Sequence, residues 1–524
     1  MAHLLALDLG TGSCRAVIFD ADGRQVAVGQ REWAHPSLPD VPGSQVFDTE
    51  HNWQLIGACA RDALAASGLE PRDIDAVSAT SMREGMVLYD EHGREIWACP
   101  NVDSRAADEA AELVRSGAAR TLFETGGDWV PITAPARFRW IQRHQPDVFA
   151  AAAHLGMLSD WALYRLTGRF VTDPSAGSSS DLFDLRSRTW STELLGLVGV
   201  DPAIVPEVLE PGTVIGVVNA QAAAETGLAE GTPVVVGGAD TQLGLVGIGV
   251  SAPGRLTLVG GSFWQLTAVT DAPLIDPEAR VRTLCHAVPG AWMTEGIGFY
   301  CGIAMRWFRD AFCEPEVSEA ERRGVDPYVV MEAAAESVPP GAHGVLAIFS
   351  NVMDVKRWVQ ATPSFLQFDV DQPLASNRAA CIRALEEQAA FASRGHLEIL
   401  RELTGSSVDE ILMTGGAAKG SLWPQIVADV LGVRVTIPEV KESTALGAAM
   451  FAGIGVGVYP DLPTAAQRLV RLERSVDPNP EATAAYDAHY ARWREAYARV
   501  LELSESGLLR PMWWPAGANA VEPA

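Results

Sequence analysis

The sequence predicts an α/β protein built as two halves around one cleft, and three observations carry that prediction. Strand patterns alternate with helix patterns along the chain. Apolar, β-prone runs end in glycine-rich segments near residues 10, 260 and 415. Hydrophobic residues make up 48%, aromatic residues 7% and charged residues 20% of 524 positions, the balance of a soluble enzyme with large cores rather than a disordered or fibrous chain.

The first elements read as an antiparallel meander. LLALDL (4–9) and RAVIFD (15–20) flank a glycine-containing loop, and a turn at Ala21 to Gly23 leads into RQVAVGQ (24–30). A helix is expected over about 52–67, because Trp53, Ile56, Cys59, Ala60 and Leu64 recur at three- and four-residue spacing. A strand follows at 74–80 (IDAVSAT), then a second hairpin, MVLYD-EHG-REIWAC. PVVVGGAD (233–240), RLTLVGGSF (255–263) and ILMTGGAAKG (411–420) each read as a strand running into glycines. Residues 377–403 form a long amphipathic stretch, 445–459 a buried helix and turn, and 481–503 a final helix before a tail. The expected units are 1–247, 248–470 and 471–524, with a hinge near the crossing at Gly244 to Gly254.

Composition excludes several classes. Forty Lys and Arg against 66 Asp and Glu give a formal charge of −26, so a polyanion is repelled; neither nucleic acid nor an anionic membrane is an expected partner. Only three lysines occur (Lys356, Lys419, Lys441), and none completes the Gly-Lys-Ser/Thr of a P-loop. The seven cysteines are scattered without CxxC spacing, which points to neither a disulfide framework nor zinc. The ten histidines show no HExxH or i, i+4 pair. The start MAHLLALDLG lacks a basic segment followed by a long apolar run, so the expectation is a cytoplasmic protein.

Six motifs carry chemistry. In DLGTGSCR, Gly10 and Gly12 mimic the first two glycines of a dinucleotide fingerprint, but Arg15 stands at the third and the following AVIF is β-prone, so no helix meets a pyrophosphate. What remains is a hairpin loop whose Thr11, Gly12 and Ser13 can face a phosphate, with Arg15 adding charge and Asp8 placed to hold hydrated Mg2+. A plain hairpin with a buried Asp is the competing reading. Arg83-Glu84 after a strand suits an oxygen-rich, uncharged ligand as donor and acceptor, or else a salt bridge. Asn101, Asp103 and Arg105 form a second polar set, with Asp103 or Ser104 also readable as a helix cap. Asp240, at a strand's carboxyl end behind two glycines, is a candidate general base. Gly261-Ser262 is placed to wrap phosphates from the opposite half, and Gly415, Gly416 and Ala417 to pass beside an adenine.

The ordered set DLGTGSCR, MREG, VDSR, SDWALYRLTG, PVVVGGADTQLG, LVGGSFW, MTGGAAKG and KESTALGAA resembles the FGGY carbohydrate kinases, within the sugar kinase, actin and heat-shock ATPase superfamily, over most of the chain. The resemblance implies two ribonuclease H-like domains flanking a deep cleft, with ATP as donor and Mg2+ as its metal. It makes Asp8 the metal-associated Asp, and Thr11, Gly12, Ser13 and Arg15 the first phosphate loop. Gly261 and Ser262 become the second loop, Arg83 and Glu84 the substrate pair, Asp240 the base, and Gly415, Gly416 and Ala417 the adenosine loop. Segments such as SMREGMVLYDEHGREIWACPNVDSRA, REWAHPSLPDVPGSQVFD and MRWFRDAFC are similar to a branch that phosphorylates the primary hydroxyl of 4,5-dihydroxy-2,3-pentanedione, the linear form of the quorum-sensing signal autoinducer-2. That branch also implies an association with the phosphocarrier protein HPr. The sequence departs from the family pattern at Arg137, where Lys is usual before the Trp140 position, at Ile132, where glycerol kinases place a Tyr, and at Ser262, where Thr is usual. A sister kinase acting on a ketopentose or polyol, and more remotely an actin- or chaperone-like ATPase, share the phosphate motifs.

Overall fold

The structure is a computed structural model and describes residues 2–353, 359–405, 407–439 and 442–512. Lys356, Lys441 and the tail beyond residue 512 lie outside the described residues.

Two sheets of like topology form the lobes. In the first, the order is Val214–Val217, Pro233–Ala239, Ala76–Ser81, His3–Leu9, Ser13–Asp20, Gln25–Glu32. The last three strands are the antiparallel meander read from the sequence, and Ala76–Ser81 and Pro233–Ala239 join it in parallel. In the second, Arg282–Cys285, Trp292–Gly298, Trp264–Thr270 and Leu256–Gly260 are antiparallel neighbours; Glu410–Thr414 and Arg434–Pro438 join in parallel, with Leu472–Val476 at the edge. Each sheet therefore presents one glycine loop, between His3–Leu9 and Ser13–Asp20 in the first and between Leu256–Gly260 and Trp264–Thr270 in the second, on the same side as the carboxyl ends of its parallel strands. Ligands bind beyond such ends.

Helix Thr49–Ser67 starts where Asp48 accepts from His51 N and stops at Gly68, in the left-handed region. It buries Trp53, Ile56, Cys59 and Ala60 against the meander. On the other face of that sheet, Ala445 to Ala452 and Leu462 to Leu469 pack on Leu4, Ala6, Val17 and Phe19. Helices Ser443–Gly455 and Leu462–Leu469 thus cover the first sheet, although the strand before them, Arg434–Pro438, belongs to the second. Strand Leu472–Val476 and helix Pro480–Glu505 then return to the second lobe, where Tyr486, Tyr490 and Trp493 enter its core. Packing consequently does not divide the chain at 470/471: an all-apolar helix pattern states burial without stating which sheet receives it.

Helices Asp240–Gly247 and Ser443–Gly455 touch through backbone. A Cβ on Gly247 would strike the Ser443 carbonyl, and one on Gly447 the Leu243 carbonyl. A second junction zips the lobes together near strand Arg282–Cys285. Thr283 N donates to Gly127 O (2.9 Å), Cys285 N to Ser178 Oγ (3.0 Å) and Trp292 Nε1 to Leu185 O (2.7 Å). The anticipated cap at Asp103 or Ser104 is not formed: helix Ala107–Arg115 begins after Ala106 without a side-chain cap. Asp103 is instead paired with Arg105 (2.7 Å), whose guanidinium lies between Trp97 and Trp140, 5.2 Å from each ring.

Candidate active site

Three strand ends of the first sheet meet. The register sets Asp8 against Thr80, Leu9 against Ser81 and Ala239 against Ser81, so Asp8, the turn Met82 to Gly85 and Asp240 emerge side by side. Gly238 permits the approach on one flank, since a Cβ there would lie 2.5 Å from Ser175 Oγ. Asp240 opens its helix and accepts from Thr241 N at 2.6 Å. Burial pushes its carboxyl up to about 6, with Arg83 pulling the other way. Burial and the neighbouring Asp240 charge push Asp8 up to about 7; Arg15 opposes the shift and Glu442 adds to it.

Two mutually repelling carboxylates, Asp8 buried and Asp240 half-buried, are a hard-oxygen donor set that a divalent cation relieves. Among the described residues no group of three or more His, Cys, Asp and Glu could hold a metal ion. That set fits Mg2+, which keeps several waters and shares phosphate oxygens rather than requiring an all-protein cage.

Around the first glycine loop, Trp33 Nε1 donates to Gly10 O (3.0 Å) and Thr11 O (3.2 Å), and Trp33 N to Gly12 O (3.2 Å). Every described peptide is trans, so the N–H groups of Thr11 and Gly12 point opposite to the carbonyls that Trp33 takes. Thr11 and Gly12 are exposed and Ser13 is half-buried. Asn101 Nδ2 donates to Thr11 Oγ1 at 3.1 Å, which ties the second polar set to this loop. Arg15 pairs with Glu442 of the facing segment at 2.6 Å.

The second loop borders a cavity of about 440 Å3 lined in part by Gly261, Ser262, Arg306, Glu386, Gly416 and Ala417. Gly302 approaches so closely that a Cβ there would strike the Gly261 carbonyl, and its N–H donates to Ser262 O at 3.1 Å. Arg306 Nη2 lies 3.4 Å from Ser262 Oγ. Gly416 and Ala417 face this cavity, whereas Gly415 has a different constraint: its φ is 93°, and a Cβ would meet Gly260 O at 2.6 Å. Its glycine is explained by backbone stacking on the second loop.

Arg83 and Glu84 are buried, at 6% and 4% exposure. Glu84 has φ of 59°, a conformation that costs a non-glycine residue on the order of 1–3 kcal/mol and persists only where neighbours impose it. Arg137 supplies that constraint. It is 1% exposed and donates to the carbonyls of Glu84, Pro100 (3.2 Å) and Asp103 (3.2 Å), gathering both polar loops onto one guanidinium. The planar fork of Arg serves several carbonyls at once, which a Lys ammonium does less well. Ile132, half-buried, ends the short turn Val130–Ile132 just before helix Ala134–His144, which carries Arg137.

The second lobe contributes partners that no sequence motif flagged. Arg83 Nη1 donates to Glu295 Oε1 (2.7 Å), and Arg282 donates to Glu295 Oε1 (2.6 Å), Glu84 Oε1 (2.9 Å) and Asp128 (3.1 Å). The available signal was charge inside otherwise apolar strands, at Arg282 and Glu295. A buried charge in a strand needs a partner.

A duplicated, cleft-facing α/β architecture with phosphate-type loops on both lobes and a carboxylate at the strand ends defines a sugar kinase-like phosphotransferase, and the comparisons place it. The chain matches the N-terminal domain of the FGGY family of carbohydrate kinases over residues 3–247 and the C-terminal domain over 259–456, and it belongs to that family. It is 45% identical over 518 residues to the autoinducer-2 kinase of Salmonella typhimurium strain LT2, covering 98% of each chain. It is 44% identical over 524 residues to that of Enterobacter sp. strain 638, covering 99% of each. Among solved structures it is similar to xylulose kinase from Rhodospirillum rubrum, with a TM-score of 0.85 and 27% identity over 96% of this chain and 100% of the other. Family membership makes the protein an ATP-dependent kinase of a small sugar-like alcohol. Among the described residues no helix is long and apolar enough to cross a membrane.

Proposed function

We propose that this protein transfers the γ-phosphoryl group of ATP to the primary hydroxyl of linear 4,5-dihydroxy-2,3-pentanedione, forming phospho-autoinducer-2. The observation that carries the reading is full-length similarity to autoinducer-2 kinases joined to a site whose acceptor side holds Asp240, Arg83 and Glu84. Asp240 accepts the acceptor's hydroxyl proton. The oxygen then forms its bond to the γ-phosphorus as the bond to the bridging oxygen of ADP breaks. The Thr11 and Gly12 amides, Ser13, Arg15, Gly261 and Ser262 bind the phosphates from both lobes, and Gly416 and Ala417 line the nucleoside cavity, with Gly415 fixing their loop. Asp8 would hold Mg2+ through water, and the ion when bound neutralises phosphate charge. Burial of the acceptor side limits competition by water.

The test is ADP release from MgATP with 4,5-dihydroxy-2,3-pentanedione, xylulose, ribulose, rhamnulose, erythritol and glycerol in turn, with Asp240→Ala alongside. Fast turnover with the dione alone, abolished by the substitution, is the expected result. A preference for a sugar or polyol would replace the substrate, and acceptor-independent ADP release would overturn the kinase reading.

A further inference from the structure

The acceptor-binding pair Arg83 and Glu84 is not free-standing. Their side chains end in a buried cluster assembled from both lobes, with Arg83, Glu84 and Asp128 from the first and Arg282 and Glu295 from the second. Each member is at most 6% exposed, and Glu295 is fully buried. Glu295 takes both guanidiniums on Oε1, while its Oε2 is buried without a hydrogen-bond partner. Burial disfavours charge on Glu295, yet Arg83 and Arg282 together hold its carboxyl below the usual range.

We propose that Arg282 and Glu295 are positioning residues for the acceptor: from the second lobe they hold Arg83 and Glu84 in the arrangement that binds it. The inference rests on the acceptor role of that pair. Three features carry it. First, Arg83 has two carboxylates in reach, Glu84 at 3.9 Å and Glu295 at 2.7 Å, so Glu295 decides where its guanidinium points. Second, Arg282 bonds Glu84 Oε1 and Glu295 Oε1 together, which couples the two halves of the pair and leaves neither free to rotate. Third, the strand bearing Arg282 is fixed to the first lobe by the backbone bond from Thr283 N to Gly127 O and by Cys285 N on Ser178 Oγ. The reach across the lobes is therefore built into the fold. An ion cluster serving stability alone makes no distinction between donor and acceptor substrates, whereas this one is directed at the acceptor pair and lies apart from the nucleotide cavity.

The experiment is steady-state kinetics of the full chain with Glu295→Gln, Glu295→Asp and Arg282→Lys, and with Glu402→Gln at the exposed Arg280 pair as a surface-charge control. The acceptor is whichever of the panel above the unsubstituted protein uses. KM for acceptor and for MgATP are measured separately, with thermal unfolding in parallel. Glu295→Gln is expected to raise the acceptor KM at least about tenfold while KM for MgATP changes less than about twofold. Glu295→Asp, which keeps the charge, should recover part of the loss, and Glu402→Gln should behave as the unsubstituted protein. The proposal is overturned if both KM values move together or if only the unfolding temperature changes. Should the unsubstituted protein use xylulose instead of the dione, the same comparison with xylulose still decides the proposal; if it uses no acceptor, both readings fall.

Discussion

Arg15 of the first phosphate loop is bound at 2.6 Å to Glu442, the residue that opens helix Ser443–Gly455. The guanidinium meant for phosphate already has an anionic partner, and both side chains are partly exposed, at 31% and 26%. Incoming phosphate must share or displace that partner. Glu442→Gln is therefore expected to lower KM for MgATP by about two- to fivefold, and Arg15→Ala to raise it, both effects shrinking at high salt. A KM unchanged by Glu442→Gln across ionic strengths would contradict the competition.

Asp240 must lose its proton before it can accept another. With its carboxyl at about 6, kcat/KM should fall with unit slope below that pH and level off above it. Asp240→Asn should reduce kcat by about 10²- to 10⁴-fold and remove the acidic limb. A limb that survives the substitution would assign it to another group.

The same carboxylate carries a stability cost whose sign follows from its raised value. The folded form binds the proton more tightly than an unfolded Asp near 3.8, so the favourable contribution is complete below about 3.8 and is lost as pH rises through about 6. Asp240→Asn should then be more stable than the unsubstituted protein by roughly 2–3 kcal/mol at pH 8 and no more stable at pH 3.5. Urea midpoints at the two pH values measure the difference.

Protons and Mg2+ compete at Asp8. Its carboxyl, raised to about 7 without a cation, should make the half-saturating Mg2+ concentration rise as pH drops below that value. Asp8→Asn should need far more Mg2+ at every pH and lose the dependence. Activity titrations with Mg2+ at pH 6 and 8 provide the check.

Gly447 has no room for a side chain over the Leu243 carbonyl. Gly447→Val should lower stability by about 1–3 kcal/mol and reduce kcat by forcing the two helices apart. Gly457→Ala, at a helix end where a Cβ meets nothing, tests backbone strain alone, because its φ is 76°.

Much of this was legible in the sequence where signals were local. The meander announced itself by short apolar runs separated by a glycine loop and the turn at Gly23, and the helix Arg378–Thr404 by its long amphipathic period. Asp8, Asp240 and the glycine loops stand at strand ends because a carboxylate or glycine interrupting an apolar run marks such an end. What could not be read depends on pairing between distant segments. Glu295 meets Arg83 across 212 positions, and Arg137 spends its donors on carbonyls, which every residue possesses and no pattern flags. The tie of Asp103 to Gln45 N likewise displaced the local capping reading, since a tertiary hydrogen bond claimed the side chain first.

Asp240 begins one of the two helices that touch through glycine, and Glu442 immediately precedes the other. Gly247 meets Ser443 while Gly447 meets Leu243, so the helices run in opposite senses and the two acidic residues lie at opposite ends of the contact. One glycine-lined contact thus sets the distance between the proton acceptor and the anion that holds Arg15, so a single interhelical spacing fixes both the base and the partner of the phosphate loop.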